Sequence, residues 1–219
     1  MKDLIERIDY PAIFKKSLLF VIATALCELG IACYYTARLG TDPISVFVDG
    51  LHNACGLSYG QISTICNVIL TILIFLFERK HLGIGTIIGM FLGGPLIDLF
   101  EGMLRSNFPL TSISLLTKLL ILLAGLITTS IGYALSIGCK MGIGCFQFVP
   151  IFLTDLIKLD IKYTQMISDA AFFLIGWAMK GVIGIGTIVG VLCTGYILGY
   201  VLDKTFEYVD RQGELFTAK

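Results

Sequence analysis

Residues 83–89 read GIGTIIG and residues 184–190 read GIGTIVG. The copies differ at one position of seven and lie 101 residues apart. A glycine phrase of this kind invites comparison with a dinucleotide fingerprint, but that fingerprint requires a preceding β-strand within a βαβ unit. Here the phrase follows an apolar stretch that ends in Glu78-Arg79-Lys80-His81. The context therefore argues against a nucleotide site. Glycine and threonine at Gly83, Gly85, Thr86 and Gly89 instead put small residues along the start of a helix, where backbones can approach closely in lipid.

Composition points to lipid as the solvent. Hydrophobic residues make up 56% of the 219-residue chain and charged residues 15%, and the mean hydropathy is +0.88. A soluble domain is usually about one quarter charged. The apolar residues fall in long runs, such as Ser17–Ala37 with Glu28 as its only charge and Leu119–Ile137 with none. Runs of about 18 or more such residues are candidates for membrane helices. The formal net charge is zero, so nothing points to nucleic acid as a partner.

Six spans are expected, over about 17–37, 60–78, 83–103, 113–137, 161–179 and from GIGTIVG to about Lys204. Two further helices look too short to cross. Asp42-Pro43 reads as a helix start, with a capping carboxylate and a proline in the first turn. That helix ends before Gly56, so at 1.5 Å per residue it is under about 20 Å long, against a hydrocarbon core of about 30 Å. A second half-helix is expected over about 145–158, after the loop Lys140-Met141-Gly142-Ile143-Gly144.

The halves match beyond the glycine phrase. Leu39-Gly40 pairs with Met141-Gly142 at an offset of 102, Gly30 pairs with Gly132, and Asn67 pairs with Asp169. The reading is an all-α polytopic membrane protein of six transmembrane helices plus two half-helices. It divides into an interfacial segment 1–16, a first repeat 17–104, a second repeat 113–204 and a cytoplasmic tail 205–219. With the N-terminus inside, twelve Lys and Arg residues fall inside and four outside, as the positive-inside rule expects. Three spans per repeat would turn the second copy upside down, which gives two inverted three-helix repeats, a recurring transporter plan.

Polar side chains within or beside these spans are the candidate substrate-binding residues: Glu28, Asp42, Ser45, Asn67, Thr86, Asp98, Gln147, Asp169 and Thr187. An acid at mid-membrane costs roughly 2.5–3.5 kcal/mol on insertion scales, so such residues face a cavity or another helix. A structural hydrogen bond between helices is the competing explanation for each, and Asp42 in particular is expected as a helix cap. Glu28 aligns with Ser130 in the other half, so the duplicated scaffold has specialised asymmetrically. The acids favour a cation or proton, and the half-helix N-termini favour an anionic group. The sequence leaves both open.

No catalytic motif of the Ser/His/Asp or HExxH kind is present, and no metal or cofactor is expected. The seven cysteines read as helix fillers, with Cys139 and Cys145 as the one pair that flanks a loop. The function expected is that of a transporter or permease for a small molecule or ion, with membrane lipid around it. A homodimer is left open. The alternative is a non-transporting accessory, sensor or assembly factor, or the substrate-binding subunit of a larger transporter.

The strings LGTDPISVFVDGL, GLSYGQIS and GIGTIIGMFLGGPLIDLF resemble the YczE/YyaS/YitT group of bacterial membrane proteins, most closely its small YczE-like type. The resemblance spans about 17–204 and implies a bacterial inner-membrane protein of five or six spans with no settled activity. It implies Asp42, Pro43, Ser45, Gly83, Gly85, Thr86, Pro95 and Asp98 as signature positions. The second half of the group often carries a charged loop, where this chain has GIGCFQ with Cys145 and Gln147.

Overall fold

A computed structural model describes residues 10–77, 79, 82–108, 114–142, 144–159, 161–184 and 186–187. They form seven α-helices: α1 (Tyr10–Ala37), α2 (Pro43–Cys55), α3 (Tyr59–Phe77), α4 (Ile84–Asn107), α5 (Leu115–Gly138), α6 (Phe148–Ile157) and α7 (Ile161–Ala178). A single 3₁₀ turn at Cys145–Gln147 leads into α6. No strand occurs among the described residues.

Four of these helices are long and apolar enough to cross a membrane: Phe14–Ala37 within α1, then α3, α4 and α5. Their outer faces are greasy. Phe14, Phe91, Leu116 and Leu76 are all at least 60% exposed, an exposure of large apolar side chains that suits lipid. The 18-residue helix α7 is not among them, its sequence being interrupted by Lys162, Gln165 and Asp169. The interfacial segment expected over 1–16 is not separate from the first span where it can be seen, because α1 is continuous from Tyr10. Most of the sixth span and the tail lie outside the described residues.

Both half-helices form. Asp42 accepts a 3.3 Å hydrogen bond from the Ser45 amide, and Pro43 occupies the first turn of α2. Gly56, at φ 70°, ends α2 by donating to the His52 carbonyl at 2.9 Å. Thirteen residues make this helix roughly 20 Å long. In the second half, the 3₁₀ turn and α6 together cover Cys145–Ile157.

Backbone conformation repeats at an offset of 102. Arg38 (φ 51°) matches Lys140 (φ 52°), Gly40 (φ 98°) matches Gly142 (φ 123°), and Gly56 (φ 70°) matches Lys158 (φ 56°). Side chains rarely adopt such positive φ angles, so three matched pairs make the same chain path twice.

The contacts between the halves are reciprocal. A Cβ on Gly30 would strike Thr129 and come within 2.6 Å of the Gly125 carbonyl. A Cβ on Gly132 would lie 2.6 Å from Cys27 and 2.8 Å from the Ala23 carbonyl. Residues 23, 27 and 30 of α1 thus meet 132, 129 and 125 of α5, so the two helices cross antiparallel at glycine. The loops follow the same rule. The Gly85 amide donates to the Met141 carbonyl at 2.9 Å, and the Gly186 amide donates to the Leu39 carbonyl at 2.8 Å. A Cβ on Gly83 would collide with the Met141 carbonyl, and one on Gly184 with the Leu39 carbonyl. The first turn of a helix leaves amides without intrahelical partners. Each GIGT phrase finds one of those partners in the glycine loop of the other half.

Alanine at Gly30 or Gly132 should therefore overpack the α1–α5 crossing and cost about 1–3 kcal/mol, seen as a lower melting temperature of the detergent-solubilised protein. Alanine at Gly102, inside α4 with open space around it, should be neutral or gain up to about 1 kcal/mol from helix propensity. Equal melting of the three variants would contradict this packing.

Candidate functional site

A cavity of about 450 Å³ lies along the seam between the halves. α1 supplies one wall through Thr24, Glu28, Ile31 and Tyr35, which recur every three or four residues and so share a helix face. Tyr34 lies beside them. Asp42, Ile44 and Ser45 bring the start of α2 to the cavity, and Gly144, Cys145 and Phe146 bring the start of the second half-helix. Ser63 and Asn67 come from α3, Thr86 and Ile97 from α4, Tyr133 and Ser136 from α5, and Gln165 from α7. The size suits a small organic molecule, since ligand pockets run from about 300 to 1,000 Å³.

Glu28 lies against Gly93 of α4. A Cβ there would come within 3.0 Å of Glu28 Oε1 and 3.7 Å of Asn67 Nδ2, so the missing side chain leaves room for both polar groups. Glu28 Oε2 is out of solvent contact and accepts no hydrogen bond among the described residues. A buried polar atom left unpaired costs roughly 1–3 kcal/mol, and more when charged. Glu28 and Asp42 both line the cavity. Loss of water at the cavity wall pushes the Asp42 carboxyl above its ordinary range, against the hydrogen bonds from Ser45 that hold it down.

Five of the nine sequence-predicted residues meet here: Glu28, Asp42, Ser45, Asn67 and Thr86. Asp98 is not among the lining residues. Its carboxylate accepts from Ser58 Oγ at 2.5 Å and from the Gly60 amide at 2.8 Å. It thereby fastens the N-terminus of α3 to α4. Asp169 is also absent from the lining and accepts from Gln165 Nε2 at 2.9 Å, one turn away on α7. Thr187 is buried, and its hydroxyl accepts from the Thr41 amide at 3.2 Å, which ties the second glycine phrase to the first loop. Gln147 sits in the 3₁₀ turn, and its side chain lies outside the described residues. Cys139 and Cys145 are free thiols, Cys145 lying 3.4 Å from the Thr71 hydroxyl.

The tyrosines of the lining, Tyr34, Tyr35 and Tyr133, escaped the reading by charge. Counting seven residues on from Glu28 finds Tyr35 on the same helix face, so the signal was present. A second polar cluster lies toward the C-terminal end of α2. Tyr59 donates to Asp49 Oδ1 at 2.9 Å and stacks on Tyr35 at 3.9 Å, while Arg38 donates to the Tyr59 hydroxyl at 3.3 Å. Asp49 Oδ2 accepts from the Val182 amide at 2.6 Å, just before the second glycine phrase. Asp49 is therefore fully engaged in holding elements together.

Residues 14–203 match the model of a family of unknown function, DUF6198. The chain belongs to that family. It is 28% identical over 201 residues to the "Uncharacterized protein YyaS" of Bacillus subtilis (strain 168), covering 90% of this chain and 99% of that protein. It is 27% identical over 173 residues to the "Uncharacterized membrane protein YczE" of the same organism, covering 78% of each. No solved structure matches the chain at a significant level. The resemblance read from its glycine and Asp-Pro strings is thus correct, and a membrane location agrees with both the apolar helices and the YczE-like relative.

The two acids should separate in a melting experiment on the DUF6198 chain. Asp98→Ala removes two acceptor interactions and should cost about 1–3 kcal/mol, whereas Glu28→Gln alters a carboxylate whose Oε2 has no partner among the described residues and should leave the melting temperature equal or higher. A large loss of stability in Glu28→Gln would mean that Glu28 has a structural partner.

Proposed function

We propose that this DUF6198 protein is a carrier for a small molecule or ion. In this reading it consists of two three-helix repeats inserted in opposite directions, with the site at their seam. The antiparallel α1–α5 crossing supports the inversion. Equivalent helices that cross a membrane antiparallel are related by an axis lying in the membrane plane. The reciprocal bonds Gly85 to Met141 and Gly186 to Leu39 support a two-fold relation between the repeats. The second glycine phrase and the distribution of Lys and Arg support a sixth span and cytoplasmic termini in this reading. A bacterial cell membrane fits the bacterial source of the relatives.

The observation that carries the reading is the placement of Glu28. A carboxylate within a span, its Oε2 without a partner among the described residues, lines a cavity formed by both halves and by the starts of both half-helices. Broken helices whose ends meet at a repeat interface are how many carriers build a site that either face of the membrane can reach.

Alternating access gives the test. Ser136→Cys, introduced in a variant lacking the native cysteines, should react with a membrane-impermeant maleimide in right-side-out and in inside-out vesicles. The expected result is labelling from both sides with intact vesicles. Labelling from one side alone, or from neither while the unfolded protein labels fully, would contradict a carrier.

A further inference from the structure

The chemistry of the cavity restricts what it can hold. Its described lining contains two carboxylates, Glu28 and Asp42, and no Lys, Arg or His. An anionic occupant would therefore meet two carboxyl groups with no fixed cation to offset them, in surroundings that screen charge poorly. Asn67, beside Glu28, presents an amide that can bond either kind of group.

Tyr34, Tyr35 and Tyr133 bring aromatic rings to the same space. Aromatic faces attract cations through the ring quadrupole. Phe20, Ile31, Ile44, Val48 and Phe146 make much of the remaining wall apolar. A bare ion would leave most of 450 Å³ unfilled. The described residues also contain no group of three or more His, Cys, Asp or Glu side chains arranged to hold a metal ion.

We infer that the occupant of this cavity is a small organic ammonium ion, its charged nitrogen against Glu28 and its carbon skeleton against the apolar and tyrosine wall. The inference deepens the carrier reading and rests on it for the location of the site. Glu28 is the binding residue, because its Oε2 lacks any partner in the described structure. The carboxylate of Asp42 is shared with the Ser45 amide, which leaves it the secondary attraction.

Calorimetric titration of the full-length protein in detergent at neutral pH tests the inference with two sets of matched probes. These are benzylammonium, benzyl alcohol and benzoate, and butylammonium, butanol and butyrate. At least one ammonium ion should bind at least ten-fold more tightly than both its neutral and its anionic partner. Glu28→Gln should remove at least ten-fold of that affinity. The selectivity is measured on the unaltered protein, so it stands whether or not the variant folds. Equal or tighter binding of the alcohols or carboxylates, no binding of either ammonium ion, or unchanged ammonium binding in a folded Glu28→Gln would overturn the inference. Failure here with two-sided maleimide labelling would leave the carrier reading standing. Success here with one-sided labelling would keep the ammonium site and remove the carrier.

Discussion

Backbone amides and carbonyls must find partners inside the protein wherever water is absent, and this constraint organises the whole chain. Helices satisfy it along their length but not at their first turns. The α4 start begins at Gly83 without a side-chain cap, and a carbonyl from the other half, that of Met141, takes the Gly85 amide. Leu39 does the same for Gly186. Neither glycine phrase is completed by its own half. The close approach this needs explains the glycines at Gly83 and Gly184, where any side chain would displace the carbonyl that supplies the bond.

Function, on this account, lies where the two halves depart from each other. The backbone is repeated closely, but Glu28 corresponds to Ser130, whose hydroxyl bonds the Leu126 carbonyl at 2.8 Å and is satisfied within its own helix. Asp42 corresponds to Gly144, so the second half-helix starts without a carboxylate. Packing diverges as well. Gly50 and Gly176 let α2 and α7 touch backbone to backbone, whereas the equivalent positions carry Phe152 and Ile74. A duplicated frame with acids on one side gives a cavity with a charged wall and a neutral one.

Much of this frame was legible in the residues. The Asp42-Pro43 helix start and the Gly56 stop rest on local backbone chemistry and appear where expected, and the first glycine phrase opens α4 as its sequence implied. Glu28, Asp42, Ser45, Asn67 and Thr86 could be placed at one cavity because spans with rare polar residues turn them inward. What could not be read was which inward residues are already satisfied. Asp98 looks like Glu28 in sequence, yet Ser58 and Gly60 occupy it, and that depends on how α3 seats against α4. Thr187 looked like a ligand and instead holds the loop at Thr41, a contact 146 residues away in the chain. The tyrosines were passed over because charge was the criterion, although helical periodicity places Tyr35 with Glu28.

The direction of the two halves through the membrane is the point on which the account turns. Cys55 ends the first half-helix and is exposed, and Lys158, just past the second half-helix, occupies nearly the equivalent place. Reaction of intact cells with an impermeant maleimide would compare a protein carrying Cys55 as its sole cysteine with one carrying only Lys158→Cys. Inverted halves predict that Cys55 reacts from outside and the cysteine at position 158 only after the cells are opened. Reaction of both from the same side would show that the halves run in the same direction, and the seam described here would not be a carrier's site.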